Sequence, residues 1–97
     1  MNREINIELE HIFKILGNKQ RLTILELLRV RPRTVSEIVD SLNMEQSAVS
    51  HQLMVLREAE LVQSQKNGRE VLYALSDSHV LILLDNALKH VGHILKH

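Results

Sequence analysis

The sequence predicts a mostly α-helical fold with a single β-hairpin, which is an α+β class. Along most of the 97 residues, apolar side chains recur at helical spacing. Two segments, LVQSQ and EVLYAL, instead alternate between apolar and polar residues as strands do. Asn67-Gly68, a dipeptide typical of tight hairpin turns, stands between them. The length fits one small domain, 1–97.

The first two helices are delimited by residues that stop helices. Apolar spacing predicts a first helix over 7–16, which ends at Gly17-Asn18. A second helix over 19–30 has a broad apolar face and therefore belongs to the core. Pro32 stops it, because proline lacks the backbone N–H that a helix needs.

A pair of shorter helices follows, and then the hairpin and a last helix. Thr34 and Glu37 have the T-x-x-E spacing of a capping box and begin the helix VSEIVDSL. Asn43-Met44 forms the turn, a second helix runs roughly over 45–59, and the last helix begins near Ser76. This order predicts a winged helix-turn-helix. A small α+β domain whose helix pair has no role at DNA is the alternative.

The composition restricts how so small a domain is stabilised. A chain of this size buries only about 60% of its unfolded surface, so it usually needs a disulfide, a metal or a partner chain for further stability. Cysteine is absent, which excludes disulfides and thiolate metal sites and leaves a metal held by nitrogen and oxygen, an oligomer, or both. The charged N-terminus is not a secretory signal, and VLILL is too short to cross a bilayer. We expect a soluble, cytoplasmic protein without a membrane partner.

Uncharged hydrogen-bonding side chains cluster at the start of the second helix of the pair. In a helix-turn-helix this part enters the major groove, where Gln pairs with adenine and Ser bonds to bases or phosphates. We predict DNA contacts for five side chains here: Gln46, Ser47, Ser50, His51 and Gln52. An ordinary solvated face is the alternative, although such faces are usually rich in Lys and Glu.

Cations flank the hairpin turn, where a wing would meet DNA. We predict that Lys66 and Arg69 contact the DNA backbone or the minor groove, with solubility alone as the equal alternative. The 12 basic and 12 acidic side chains balance, so a monomer has few cations for non-specific binding. A homodimer doubles both the cations and the sequence read, and we expect one on double-stranded operator DNA.

The segment SAVSHQLMVLREAELVQSQKNGREVLYAL resembles the recognition helix and wing of the ArsR/SmtB repressors. The family motif S-x-V-S-x-H-L-x-x-L is nearly intact, with His51 one position early, and its other members here are Ser47, Val49, Ser50, Leu53 and Leu56. ILGNKQRLTILELL is similar to the family's second helix. The resemblance implies a homodimer joined through its N- and C-terminal helices, which leaves its operator when an inducer, often a metal ion, binds.

Family members with a thiolate site carry cysteines in the first helix of the pair. The matching segment here is VSEIVDSL, which has none. The resemblance therefore does not extend to the sensors of arsenic, cadmium or lead.

Four of the six histidines lie in the last 22 residues. On an ideal helix His79 and His90 are roughly 16 Å apart along the axis, whereas zinc holds its nitrogen ligands at about 2.0–2.1 Å. These two side chains therefore cannot share one ion within a single helix. His90 and His93 can share one, because residues three apart are neighbours on a helix.

Two antiparallel copies of this helix would complete the ligand set. Asp77 and His79 of one chain then meet His90 and His93 of the partner subunit, and symmetry makes two equivalent sites. Residues i and i+2 diverge by about 200°, so Asp77 joins His79 only if it caps the helix. The seam between the copies would be formed by Ile82, Leu83 and Asn86.

Three imidazoles and one carboxylate suit tetrahedral zinc, with cobalt as a close mimic. Nickel is a further candidate; it usually takes more than four ligands, and His97 is a spare. The spacing D-x-H…H-x-x-H also resembles that of the family's zinc- and cobalt-responsive branch, whose metal lies between paired C-terminal helices. Histidines that merely pack at a dimer seam are the alternative.

These observations together predict a repressor that binds its operator as an apo homodimer. Zinc or cobalt would release it and derepress metal efflux or resistance genes, as the resemblance implies. We expect His79 or His90 to bond to backbone near the end of the recognition helix, around residues 58–61. The alternatives are a repressor with structural zinc or no metal response, and a small histidine-dependent enzyme, which the lack of an evident substrate pocket disfavours.

Overall fold

The computed structural model describes residues 2–96, which form five helices and one antiparallel hairpin. The elements in chain order are α1 (Arg3–Leu16), α2 (Lys19–Val30), α3 (Val35–Leu42), α4 (Gln46–Glu58), β1 (Val62–Asn67), β2 (Glu70–Leu75) and α5 (Ser78–Leu95). The predicted class and element order are confirmed.

Side-chain caps explain where the first two helices begin. The side chain of Asn2 accepts a hydrogen bond from the Ile5 backbone N–H at 2.9 Å, so α1 starts four residues before the predicted start at 7. The apolar spacing on which that prediction rested does not register such a cap. Asn18 caps α2 in the same way, through Arg21 N–H at 3.0 Å.

The predicted capping box begins α3. The Thr34 hydroxyl accepts from Glu37 N–H at 3.2 Å, and the Glu37 carboxylate accepts from Thr34 N–H at 3.0 Å. This backbone bond, together with the Arg31 guanidinium, holds the pKa of Glu37 below its ordinary value. Asn43 ends α3 in the left-handed conformation with φ 51°, and α4 follows after a short turn.

The hairpin turn lies one residue later than the dipeptide signal suggests. Asn67 pairs with Glu70 as the last rung of the ladder, so the two-residue loop is Gly68-Arg69 rather than Asn67-Gly68. Gly68 has φ +65°, the conformation that glycine adopts without steric cost. On the edge of β2 that does not face β1, Arg33 and Tyr73 exchange two backbone hydrogen bonds of 2.9 and 2.7 Å, which tie the segment before α3 to β2.

One hydrophobic core joins α2, α3, α4 and the hairpin. Its buried members are Ile24, Leu25, Leu28, Ile38, Val49, Leu53, Leu56, Leu61, Val62, Val80 and Leu84. None of them comes from α1, and α5 supplies only the last two. Across the described residues, no helix combines the length and hydrophobicity that crossing a bilayer requires.

Candidate nucleic-acid interface and metal-binding helix

Helical periodicity divides α4 into a buried face and an exposed face. Val49, Leu53 and Leu56 point into the core. Four of the predicted DNA-contacting side chains lie on the opposite, exposed face: Gln46, Ser47, Ser50 and His51. Their hydroxyl, amide and imidazole groups are all able to bond to base edges or phosphates. The start of α4 therefore presents a polar, largely uncharged surface.

Gln52 does not lie on that surface, which corrects its prediction as a DNA contact. Its side chain is only 7% exposed. The amide nitrogen donates to Gln20 Oε1 at 2.8 Å, and the amide oxygen accepts from Arg21 Nη1 at 3.0 Å. The sequence itself indicates that Gln52 is buried, because it lies three residues after Val49 and four before Leu56, on the apolar face of α4.

The hairpin carries its two predicted DNA contacts at its tip. Lys66 and Arg69 are exposed on either side of Gly68. Arg31, nearer the helix pair, is partly neutralised, since its guanidinium bonds to the Glu37 carboxylate at 3.2 Å. Of these three cations, only Arg31 is paired with a carboxylate among the described residues.

The start of α5 meets one condition of the ligand hypothesis, that Asp77 caps the helix. Asp77 caps the helix, with Oδ1 accepting from His79 N–H at 2.8 Å and from Val80 N–H at 3.2 Å. The same oxygen is 3.3 Å from His79 Nδ1, so the two side chains converge despite their i, i+2 spacing. The His79 side chain is 90% exposed, which leaves it open to a ligand or a partner chain.

The other two predicted ligands lie near the far end of α5. His90 and His93 are both exposed and are separated by less than one helical turn. Within residues 2–96 of one chain, no three His, Asp or Glu side chains form a group able to hold a metal. The four-ligand site therefore remains a prediction that needs a second chain. The spare ligand His97 lies outside the described residues.

Asp85 in α5 and Ser76 just before it make polar contacts with earlier elements of the chain. Asp85 Oδ1 accepts from Arg29 Nη1 of α2 at 2.8 Å. Ser76, just before the helix, donates from its hydroxyl to the Glu60 carbonyl at 2.6 Å and from its N–H to the Leu61 carbonyl at 3.1 Å. Ser76, which the sequence analysis treated only as a possible cap, thus bonds to the backbone at residues 60 and 61. The bond expected from His79 or His90 to residues 58–61 stays a prediction.

Both terminal helices leave apolar side chains uncovered. On α1 these are Ile5, Ile7, Leu9 and Phe13, and on α5 they include Ile82, Leu83, Leu88, Val91 and Ile94. An open, mainly apolar groove lies between α2 and α5. Exposed apolar surface that continues along two helices is typical of a protein-protein contact.

Comparisons with known proteins agree with this architecture. A family model described as "bacterial regulatory protein, arsR family" matches residues 18–64. The transcriptional regulator NmtR of Mycobacterium tuberculosis is 47% identical over 79 residues, covering 81% of this chain and 66% of the relative. The transcriptional repressor SmtB of the same species is 37% identical, covering 93% and 67%. The chain thus spans about two thirds of each relative.

Among solved structures, the homodimeric winged helix-turn-helix DNA-binding domain Mb0332 of Mycobacterium bovis is similar over the whole fold. That domain is described as a possible ArsR-family transcriptional regulator. The TM-score is 0.91 at 25% identity, with 100% of this chain and 92% of that chain covered. The α3–α4 pair and the hairpin therefore correspond to the helix-turn-helix and wing, which confirms the predicted architecture.

Proposed function

Because the chain belongs to the arsR family of bacterial regulatory proteins, we propose that it is a transcriptional repressor released from DNA by a metal ion. The apo homodimer binds its operator, and zinc, or cobalt in its place, lowers that affinity. One observation carries the metal part of the proposal: Asp77 Oδ1 and His79 Nδ1 converge to 3.3 Å on the exposed start of α5. Genes for metal efflux or resistance are the expected targets.

Dimerisation is supported by the surfaces of the terminal helices. Ile82 and Val91 of α5 are half exposed, as are Ile5 and Ile7 of α1. Burying such side chains against a second copy would contribute about 25 cal/mol for each Å² of apolar surface removed from water. A homodimer is also the state named for the structural relative from Mycobacterium bovis.

Operator binding is assigned to α4 and the hairpin tip. Gln46, Ser47, Ser50 and His51 would read base edges or bond to phosphates, since they share the exposed face of α4. Lys66 and Arg69 would contact the DNA backbone from the wing. Two such surfaces in a dimer provide the cations that one neutral chain lacks.

The donor set fits zinc or cobalt. Asp77 and His79 from one α5 and His90 and His93 of the partner subunit would supply one carboxylate and three imidazoles, a set that suits a tetrahedral ion. Bound there, the ion would supply a cross-link between the two α5 helices. A ligand shifts DNA affinity only if it favours one arrangement of the dimer over another, so α5 must be connected to α4.

Ser76 provides such a connection within one chain. It precedes Asp77 directly, and it bonds to the carbonyls of Glu60 and Leu61 just beyond the end of α4. Any change in the direction of α5 is therefore passed through Ser76 to the segment that follows the recognition helix. We assign this contact the task of coupling the ligand helix to the DNA-facing helix.

Zinc titration of the protein-operator complex tests the proposal. DNA selected from a random-sequence library by the apo protein serves as operator, and its dissociation constant is measured with increasing zinc. We expect zinc to weaken binding by roughly 5–150-fold, the usual size of an allosteric coupling. In Ser76→Ala, zinc should bind with unchanged affinity while the change in DNA affinity becomes smaller.

Three results would contradict different parts of the proposal. If zinc binds while operator affinity stays constant in the wild type, the ion is structural and the sensor function is wrong. If the apo protein selects no DNA, repression itself is wrong. If Ser76→Ala retains full coupling, another contact between α5 and α4 carries it.

A further inference from the structure

Gln52 is the one buried polar side chain in the described part of the chain. Both ends of its amide are bonded: Nε2 donates to Gln20 Oε1 at 2.8 Å, and Oε1 accepts from Arg21 Nη1 at 3.0 Å. Burying a polar group is unfavourable unless its hydrogen bonds are made, and here α2 makes them. The recognition helix is therefore joined to α2 by a polar bridge within an apolar interface.

Arg21 extends this bridge to α1. Its Nε donates to the carbonyl of Ile15 at 2.7 Å, in the last turn of α1, where carbonyls lack helical partners. Its guanidinium thus bonds at once to the end of α1 and to Gln52 in α4. The planar fork of arginine makes this possible, because its donors point in fixed directions.

Directional bonds fix what the apolar contacts of α4 leave adjustable. Val49, Leu53 and Leu56 hold the helix against the core, but hydrophobic contacts have little preference for angle. A hydrogen bond weakens steeply when it is bent, and one from a charged donor is stronger than a neutral one. The bridge therefore restricts the rotation of α4 and its position relative to α1.

We propose that Gln52 is a positioning residue for operator recognition. Through Arg21 it aligns α4 with the end of α1, and so it sets the distance and angle between the two recognition helices of a dimer. That geometry determines the half-site spacing that the protein accepts. The inference rests on the proposed function, in which α1 contributes to the dimer and α4 contacts DNA.

A spacer series separates positioning from base reading. The two half-sites of the DNA selected by the wild type are moved by one base pair in either direction, which shifts one half-site by about 3.4 Å and about 35° around the axis. Affinities are measured for the wild type, Gln52→Met and Gln52→Glu. Met has about the size of Gln but cannot form the hydrogen bonds to Gln20 and Arg21. Glu keeps an oxygen that accepts from Arg21. Ser50→Ala on the exposed face is the matched control.

We expect the wild type to lose affinity sharply on the shifted spacers. Gln52→Met should bind the original DNA more weakly and should lose less on changing the spacer. Gln52→Glu should keep the preference of the wild type. Ser50→Ala should bind more weakly on every spacer without a change in spacing preference. Base preferences, measured by repeating the selection, should stay the same for both Gln52 variants.

Three outcomes would overturn the inference. If Gln52→Met changes the base preference at fixed spacing, Gln52 reads bases directly and the inference is wrong. Unchanged spacing preference in a folded Gln52→Met would reduce its role to stability. Should Gln52→Met fail to fold, Arg21→Lys takes its place, because lysine cannot bond to Ile15 and Gln52 together. An unchanged preference for half-site spacing in Arg21→Lys would equally contradict a positioning role. A wild type that selects no DNA would instead refute the proposed function.

Discussion

Asp77 combines two tasks in one side chain. Its Oδ1 caps α5 through the N–H groups of His79 and Val80 and also lies beside the His79 imidazole. The cap orients the carboxylate at the start of the helix, so its second oxygen can turn toward an ion without loss of the capping bonds. The i, i+2 divergence that made Asp77 look least suitable as a ligand is thus removed by its capping position, and its role as a ligand stays a prediction.

Removal of one imidazole tests the ligand set. We expect His90→Ala to reduce zinc affinity by more than about 100-fold, because loss of an outer-shell partner alone costs about 10–100-fold. Isothermal titration measures this affinity. His11→Ala is the matched control, an exposed helical histidine on α1 without a ligand at the required spacing. Equal losses in both variants, or none in His90→Ala, would contradict the site.

The capping box of α3 should make stability depend on pH. The Thr34 backbone bond and Arg31 lower the pKa of Glu37, so its ionised form stabilises the fold above its ordinary pKa of 4.5. That contribution is lost as pH falls through the lower pKa of the folded state. The free energy of unfolding of Glu37→Gln should thus be below that of the wild type near neutral pH, and the difference should shrink in acid. Urea unfolding across this range measures it, and a difference independent of pH would exclude the effect.

At the scale of single elements, local chemistry decides where helices and strands end. Thr34 and Glu37 close their capping box, and α2 ends at Val30, two residues before Pro32. The hairpin differs by one residue from the expected turn, because the ladder extends to Asn67–Glu70 and leaves Gly68-Arg69 as the loop. The pairing register of β1 and β2, rather than the Asn67-Gly68 dipeptide, therefore determines which two residues form the loop.

Substitution of Gly68 measures how much the positive φ at the hairpin turn costs a residue other than glycine. We expect Gly68→Ala to reduce the free energy of unfolding by about 1–2 kcal/mol, the cost of the left-handed conformation for an ordinary residue. A Cβ there meets no atom within 4 Å, so steric crowding adds nothing. Gly68→Asn, which tolerates this conformation better, is the control and should lose less. Denaturant unfolding compares them, and equal losses would mean that the backbone conformation is not the cause.

At the scale of the whole molecule, the terminal helices set the architecture of the assembly. The core is built by α2, α3, α4 and the hairpin, while α1 contributes no buried residue. Apolar residues in α1 and α5 are nevertheless spaced as in core helices. Their exposure in one chain is explained if a second copy covers them.

Charge at this surface should separate the chains. Ile82 of α5 is 55% exposed, and Ile82→Lys should convert the dimer to a monomer in sedimentation experiments. Operator affinity should fall by roughly 10²–10⁴-fold, the gain that two linked binding modules provide. Val30→Lys is the control, because Val30 is 67% exposed but lies at the end of α2. A dimeric Ile82→Lys variant would exclude α5 from the interface.

The sequence alone determined the features that depend on short-range chemistry. Helix period, the helix end at Gly17-Asn18, the capping box at Thr34, the stop at Pro32 and the alternation of the two strands are each encoded within a few residues. The fold class and element order could therefore be predicted. The exposed part of the α4 surface followed from the same periodicity. The candidate ligands followed from spacing along one helix.

Only the tertiary structure decided which partners distant residues find. Spacing puts Gln52 on the apolar face of α4, but only the packing of α4 against α2 brings it to Gln20, which accepts its hydrogen bond, and to Arg21, which donates one. Ser76 meets Glu60 because the hairpin returns the chain to the end of α4. Hydrogen bonds between residues so far apart depend on how whole elements pack, and no local pattern specifies that packing.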